Sequence, residues 1–251
     1  MLTVRRTKMG DKRMTMAQSE GLSAINSVGE WVAADFRLAS VFSRYGIDFC
    51  CGGSMPVGQA CAEKGLSVET VLQEAQLVRE TPGIAEQYNQ WPLGFLADYI
   101  VNQFHTYTRE MLEQIARYAD AVAHAHGASH PETVTIAALW LRLRDSMLAH
   151  LRDEEELLFP YIKQLAQGQG AAPDSGSAQA LIKQMEGEHE EVGAILAELA
   201  QLSGGYVTPA DGCNTYRALY GSLSEFDATT KKHVHLENNI LFPKAIGLAQ
   251  R

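Results

Sequence analysis

Two segments of the chain carry the same side chains in the same order. His150-Leu151-Arg152-Asp153-Glu154 runs on to Phe159-Pro160, and His233-Val234-His235-Leu236-Glu237 runs on to Phe242-Pro243. In each, a glutamate follows a histidine four positions later. On an α-helix, side chains four apart stand one above the other on the same face, so each segment offers an imidazole nitrogen and a carboxylate oxygen in one direction. Such a pair can hold a metal ion. Two further histidines, His105 and His189, are separated by the same interval, to within one residue, as His150 and His233. The repeat reads as a duplicated helical hairpin.

The surrounding residues tell which way these six point. His189 sits among Ile182, Met185, Val192, Leu196 and Leu199, and His233 with Glu237 among Leu219, Leu223, Phe226, Thr230 and Ile240. His105 follows Val101 and precedes Thr108 and Leu112, while His150 and Glu154 follow Leu143 and Met147. Alternating steps of three and four put each set on one stripe, the stripe a helix turns to a core. A single histidine there is ordinarily a satisfied core or surface residue. Four imidazoles and two carboxylates converging on one interior are different, because unpaired buried carboxylates cost several kcal/mol each and call for a compensating cation. A nitrogen and oxygen set without thiolate suits iron, manganese or zinc, and two carboxylates placed to bridge favour a dinuclear centre. Glu186 with His189 also matches a Glu-x-x-His pattern, but the equivalent position before His105 is Asn102, so Glu186 is set aside. His124, His126 and His130 fall at a hairpin connection and His235 on a different helix face from His233; all four are expected to be solvated.

Cys50 and Cys51 are the second chemical candidate. They follow a helix and a glycine turn and precede Gly52 and Gly53, which permit close approach of a backbone or ligand. Exposed thiols there could accept iron, exchange with a cluster sulfur or enter thiol redox steps. Cys61 and Cys213 are expected to be structural.

Four long helical patterns, 93–125, 132–166, 178–202 and 212–248, position the six residues. Short connections between them favour an up-down-up-down four-helix bundle over residues 90–251; the stretch 168–177, rich in Gly, Ser and Ala, reads as a flexible loop. Ahead of the bundle, a small helical domain is expected over 25–85. It has a helix over 27–45 stopped by Gly46, a turn over 47–53 and a second helix capped by Ser67. Thr81-Pro82-Gly83 and Trp91-Pro92 bracket the linker. Residues 1–24 read as a disordered leader, since the Arg5-Arg6 pair is not followed by an apolar signal core. The fold class is therefore all-α.

A formal net charge of -9 argues against a nucleic-acid surface. No stretch reaches the roughly 20 apolar residues of a membrane span. Four cysteines, two of them adjacent, are too few for a disulfide framework and point to a reducing compartment, the cytoplasm.

With these residues in place, the chain after residue 25 resembles the di-iron repair-of-iron-centres proteins, which restore iron–sulfur clusters damaged by nitric oxide or peroxide. The resemblance rests on Tyr45-Gly46-Ile47-Asp48-Phe49-Cys50-Cys51-Gly52-Gly53, on His105, on His150 with Glu154, on Glu188-His189, and on His233 with Glu237 in His-Leu-Glu-Asn-Asn-Ile-Leu-Phe-Pro. It implies a hemerythrin-like centre: two non-haem irons with an oxo bridge, four terminal histidines and two bridging glutamates. Phe36 departs from it, standing where members often have proline. The implied function is repair by iron donation rather than conventional enzyme turnover, with damaged iron–sulfur proteins as partners. The alternatives are a sink or sensor for nitric oxide or oxygen, and nitric oxide reduction at the di-iron site. Homodimer assembly is left open.

Overall fold

The structure, a computed structural model, describes residues 23–83, 86–168 and 175–250. Residues 1–22 of the expected leader and 169–174 of the expected 168–177 loop lie outside the described residues, while 175–177, expected in that loop, are helical.

Ser27 opens the first helix by a reciprocal cap: its hydroxyl accepts from the Glu30 amide, and the Glu30 carboxylate accepts from its own N–H. This helix, α1 (Val28–Ala34), stops early. Asp35 adopts an extended backbone, and its carboxylate accepts from the Arg37 amide to start a 3-10 turn, Phe36–Leu38. The chain then resumes as α2 (Ala39–Arg44), ended by Gly46 at φ 63°. The single helix expected over 27–45 is thus broken, because Asp35 caps the turn ahead of it more favourably than it continues the turn behind. A short α3 (Val57–Glu63), not anticipated from the sequence, precedes α4 (Val68–Glu80), whose first turn Ser67 caps through the Thr70 amide. Val28, Trp31, Phe42, Phe49, Val57 and Val71 form the core of this module, and Val234 of the bundle joins it.

The bundle begins after Pro92. Its first long helix is α5 (Leu93–Ile100), a π turn (Val101–His105) and α6 (Thr106–His126). The second is α7 (Glu132–Asp153), a π turn (Glu154–Leu158) and α8 (Phe159–Ala166). The third is α9 (Ser175–Leu202). The fourth is α10 (Asn214–Leu236), a π turn (Glu237–Leu241) and α11 (Phe242–Ala249). α5 packs on α8 and α6 on α7, the antiparallel pairing of an up-down bundle. Among the described residues there is no strand, only an isolated bridge between Ser27 and Pro56, and no helix long and apolar enough to cross a membrane.

Two apolar clusters fill the bundle. One, including Leu112, Ile115, Trp140, Leu196, Tyr216 and Phe226, occupies the end far from Pro92. The other, including Leu96, Ile100, Phe159, Met185, Ile240 and Phe242, occupies the near end. The polar residues of interest lie between them.

Candidate metal centre

Each of the six side chains is brought inward by the helix it rides on. His105 closes the first π turn, His150 sits in the last turn of α7, Glu154 opens the second π turn, His189 lies mid-α9, His233 sits in the last turn of α10 and Glu237 opens the third π turn. All six are at most 2% exposed. The structure brings them together as two overlapping groups: His105 and His233 with Glu154 and Glu237, and His150 and His189 with the same two glutamates.

The shared carboxylates stand between the groups. Glu237 Oε1 lies 3.0 Å from His233 Nε2, while its Oε2 lies 3.3 Å from His189 Nε2. Glu154 Oε2 is 3.3 Å from His105 Nε2 and 3.4 Å from His150 Nε2. Within each group the imidazoles face each other through Nε2, at 3.2 Å for His105 and His233 and 3.0 Å for His150 and His189.

Outer contacts decide what those inner nitrogens carry. His105 Nδ1 donates to Glu155 Oε1 at 2.7 Å, an oxygen that also accepts from Arg109 Nη1 at 2.8 Å. His150 Nδ1 donates to Glu188 Oε2 and His189 Nδ1 to Asn238 Oδ1, each at 2.8 Å. A neutral imidazole that donates from Nδ1 presents a lone pair at Nε2. Lone pairs of His105, His150 and His189 therefore face carboxylate oxygens and, between His150 and His189, each other. Glu154 has no hydrogen-bond partner on either oxygen, nor does Glu237 on Oε2. A buried set of acceptors without donors requires positive charge at its centre, and divalent metal ions fit that demand. The electrostatics say the same in protons: against burial, which lowers it, Glu154 and Glu237 hold His105 up to about 10, and Glu237 holds His189 up to about 9. At His233 burial, with the charge of His105 adding to it, outweighs Glu237 and pushes the imidazole down. Against burial, the histidines His233, His105 and His189 hold the Glu237 carboxyl well below its usual range. Phe104 stacks on His233, Phe159 on His105 and Phe242 on His189, walling the cluster with apolar rings.

Three features were not read from the sequence. The π turns are one: Thr106, Phe159 and Phe242 each donate five residues back, to Val101, Glu154 and Glu237. The only signal for them was the Phe-Pro pair in two of the three, since a proline nitrogen cannot continue the four-residue ladder. The outer acceptors Glu155, Glu188 and Asn238 are the second. His235 is the third, and a correction: it is fully buried rather than solvated, donating from Nδ1 to Phe49 O at 3.2 Å, and burial pushes its pKa down to about 4. The N-terminal module covers that face of α10, which its own helical pattern does not show. His124 is exposed, as expected for a solvated residue, whereas His126 and His130 are half-buried, His130 pairing with Asp211 and Glu132. Glu186 is half-buried and outside both groups.

The thiols divide differently from expectation as well. Cys50 is buried and Cys51 half-buried, Cys61 is buried, and Cys213, expected to be structural, is exposed at the cap of α10. Hydrogen bonding between Cys50 and Cys51 raises Cys50, which burial raises further, and lowers Cys51. Cys51 Sγ lies 3.5 Å from the His189 carbonyl. A cavity of about 440 Å³ between module and bundle is lined by Asp48, Cys50, Cys51, His189, Val192 and Lys231 among others.

Comparison with known proteins agrees with this geometry. Residues 96–245 match the hemerythrin HHE cation binding domain, and residues 24–80 match a domain of unknown function termed ScdA_N or DUF542. Among curated proteins, the iron-sulfur cluster repair protein ScdA of Staphylococcus haemolyticus is 33% identical over 82% of this chain and 91% of its own. The iron-sulfur cluster repair protein YtfE of Pectobacterium carotovorum is 33% identical over 88% of this chain and 96% of its own. YtfE of Yersinia pestis is 31% identical over the same shares.

Proposed function

The chain belongs to the hemerythrin HHE cation-binding family, in the form preceded by a DUF542 domain, and on that premise we propose that it repairs iron–sulfur clusters damaged by nitrosative or oxidative stress. The observation that carries this is the six-residue cluster, which turns three imidazole lone pairs and two carboxylates inward and whose two glutamates belong to both groups. His105 and His233 would hold one ion and His150 and His189 the other, with Glu154 and Glu237 shared. Two iron ions joined by an oxo bridge would supply exchangeable, redox-active metal. Glu155, Glu188 and Asn238 keep three imidazole lone pairs aimed inward by holding the outer N–H groups, and such partners tune ligand basicity. The phenylalanine rings exclude water and hold the rings in place. Two histidines and shared carboxylates for each ion would leave coordination positions for exchange. Cys50 and Cys51, on the cavity wall beside His189, are the thiols we assign to receiving or handing on iron. Damaged iron–sulfur proteins are the corresponding partners.

We divide the chain into a module over 25–85 and a bundle over 90–251, supported by the separate family matches at 24–80 and 96–245. Four free cysteines support a reducing compartment, the cytoplasm. The cavity of about 440 Å³ that reaches His189 favours a second reading, in which nitric oxide or oxygen binds at the centre as a small ligand.

Purified iron-loaded protein is expected to hold about two irons per chain in the six-residue cluster and to reactivate a nitric-oxide-damaged cluster enzyme, with Cys50→Ala/Cys51→Ala slowing recovery. Equal recovery with metal-free protein would overturn repair by donation. A spectral change on adding nitric oxide without iron transfer would favour the second reading.

A further inference from the structure

Three donors stand together outside the six-residue cluster. One oxygen of Asp48 and the sulfurs of Cys50 and Cys51 all lie within 4.8 Å of one another, with Cys50 Sγ 3.0 Å from Asp48 Oδ1. The set is held in place before anything binds. Asp48 accepts from the amides of Cys50 at 2.8 Å and Gly52 at 2.9 Å, and Asn239 Nδ2 on the bundle donates to the carbonyls of Phe49 at 3.3 Å and Cys50 at 3.0 Å. One side is closed and the other open, since Cys50 is buried, Cys51 half-buried and Asp48 exposed. On the closed side Cys51 Sγ touches the carbonyl of His189 and faces Gly193, where a β-carbon would come within 3.6 Å of the sulfur. Two cavities, about 440 Å³ and 180 Å³, both reach Cys50 and Cys51; Glu190 lines both, and the smaller adds Glu186.

We propose that Asp48, Cys50 and Cys51 form a third metal site, a half-open station that holds one divalent ferrous ion between the six-residue cluster and solvent. Two thiolates and a carboxylate select borderline and soft ions such as Fe²⁺ over Mg²⁺ or Ca²⁺. Three protein donors leave a fourth position open, the arrangement of sites that exchange ligands rather than lock a metal for structure. Loading is ligand exchange without electron transfer: the ion gives up water ligands for sulfur and oxygen, and both thiol protons leave to solvent. The direction of travel rests on the repair reading above, whereas the existence of the site does not.

The test is anaerobic titration of the full-length, metal-free protein with Co²⁺, whose bonds to thiolate sulfur give a charge-transfer absorption that histidine and carboxylate ligands do not. Wild type is expected to take up three ions with that absorption present. Cys50→Ser/Cys51→Ser should take up two without it, and Asp48→Asn, which keeps both thiols, should weaken the third site at least about tenfold at unchanged helicity. His150→Ala/His233→Ala should lose the other two ions while the sulfur band remains, so failure of the six-residue centre and failure of the third site are told apart. A wild-type protein that saturates without the sulfur band, or an Asp48→Asn variant with an undiminished band and affinity, overturns the proposal. A final titration with Fe²⁺ should again give three ions in wild type and two in the thiol variant; equal uptake by the two overturns the proposal as well.

Discussion

His233 differs from its three counterparts in one atom: its Nδ1 is buried without a partner, whereas those of His105, His150 and His189 each reach an acceptor. Orientation of His233 therefore rests on the ring of Phe104 and on Glu237 one turn along its own helix. Outer acceptors of this kind change metal affinity without touching the metal, typically by about 10–100-fold. Asn238→Ala, Glu155→Gln and Glu188→Gln are each expected to raise the metal Kd by about that factor, measured by competition with a chelator, with secondary structure unchanged. Glu237→Gln is expected to do more, because both groups share that carboxylate; the metal content of the six-residue cluster should fall from two ions to one or none. Cys213 offers a check of a different kind. The Tyr216 amide and His126 bring its thiol down to about 7, and the thiolate is the nucleophile. Its alkylation rate should rise as pH increases through about 7, levelling above it, while buried Cys61 stays unlabelled in the folded protein; a rate still climbing steeply above pH 8.5 would contradict this.

At the scale of elements, the third π turn does the most. Within it Glu237 faces both groups, Asn238 holds His189, and Asn239 reaches across to the cysteine loop. Asn239 fits because Gly29 and Gly53 leave room: a β-carbon would lie 2.1 Å from its Oδ1 at Gly29 and 2.3 Å at Gly53. Gly53→Ala must therefore displace a side chain held to two loop carbonyls. The expected cost is about 1–3 kcal/mol, the usual range for overpacking. Hydrogen exchange should show it as faster exchange over residues 45–53 and α1, with α6 and α7 unaffected. Much of this was legible beforehand. The steps of three and four around His189 and His233 gave the long helices, and Ser67 and Gly46 gave a start and a stop that the structure retains. The break at Asp35 was not legible, because an aspartate inside an apolar helical pattern looks the same whether it faces water or caps the next turn.

For the molecule as a whole, the interior of the bundle is two apolar clusters separated by a layer of acceptors. Without cations that layer opposes folding, since burying carboxylates without donors or counter-charge is costly. Metal that binds the folded chain alone stabilises it by mass action, by about 4 kcal/mol at a thousandfold excess over Kd. For a protein of this size that corresponds to a Tm about 8–16 °C lower after chelation. Calorimetry before and after metal removal, and after restoring ferrous iron, checks it; an unchanged Tm would mean that the acceptor layer needs no ion.

The sequence by itself determined which side chains could converge. Helical period is a local property, written in the spacing of apolar residues, and it turned His105, His150, Glu154, His189, His233 and Glu237 to the inside. It could not decide which of them meet. His105 faces His233 and His150 faces His189 because of how four helices are arranged around one core, and that arrangement is set by side-chain packing between segments far apart in the chain. The same holds for His235 and Asn239: only the docking of the N-terminal module made one a buried donor and the other a clamp on the cysteine loop.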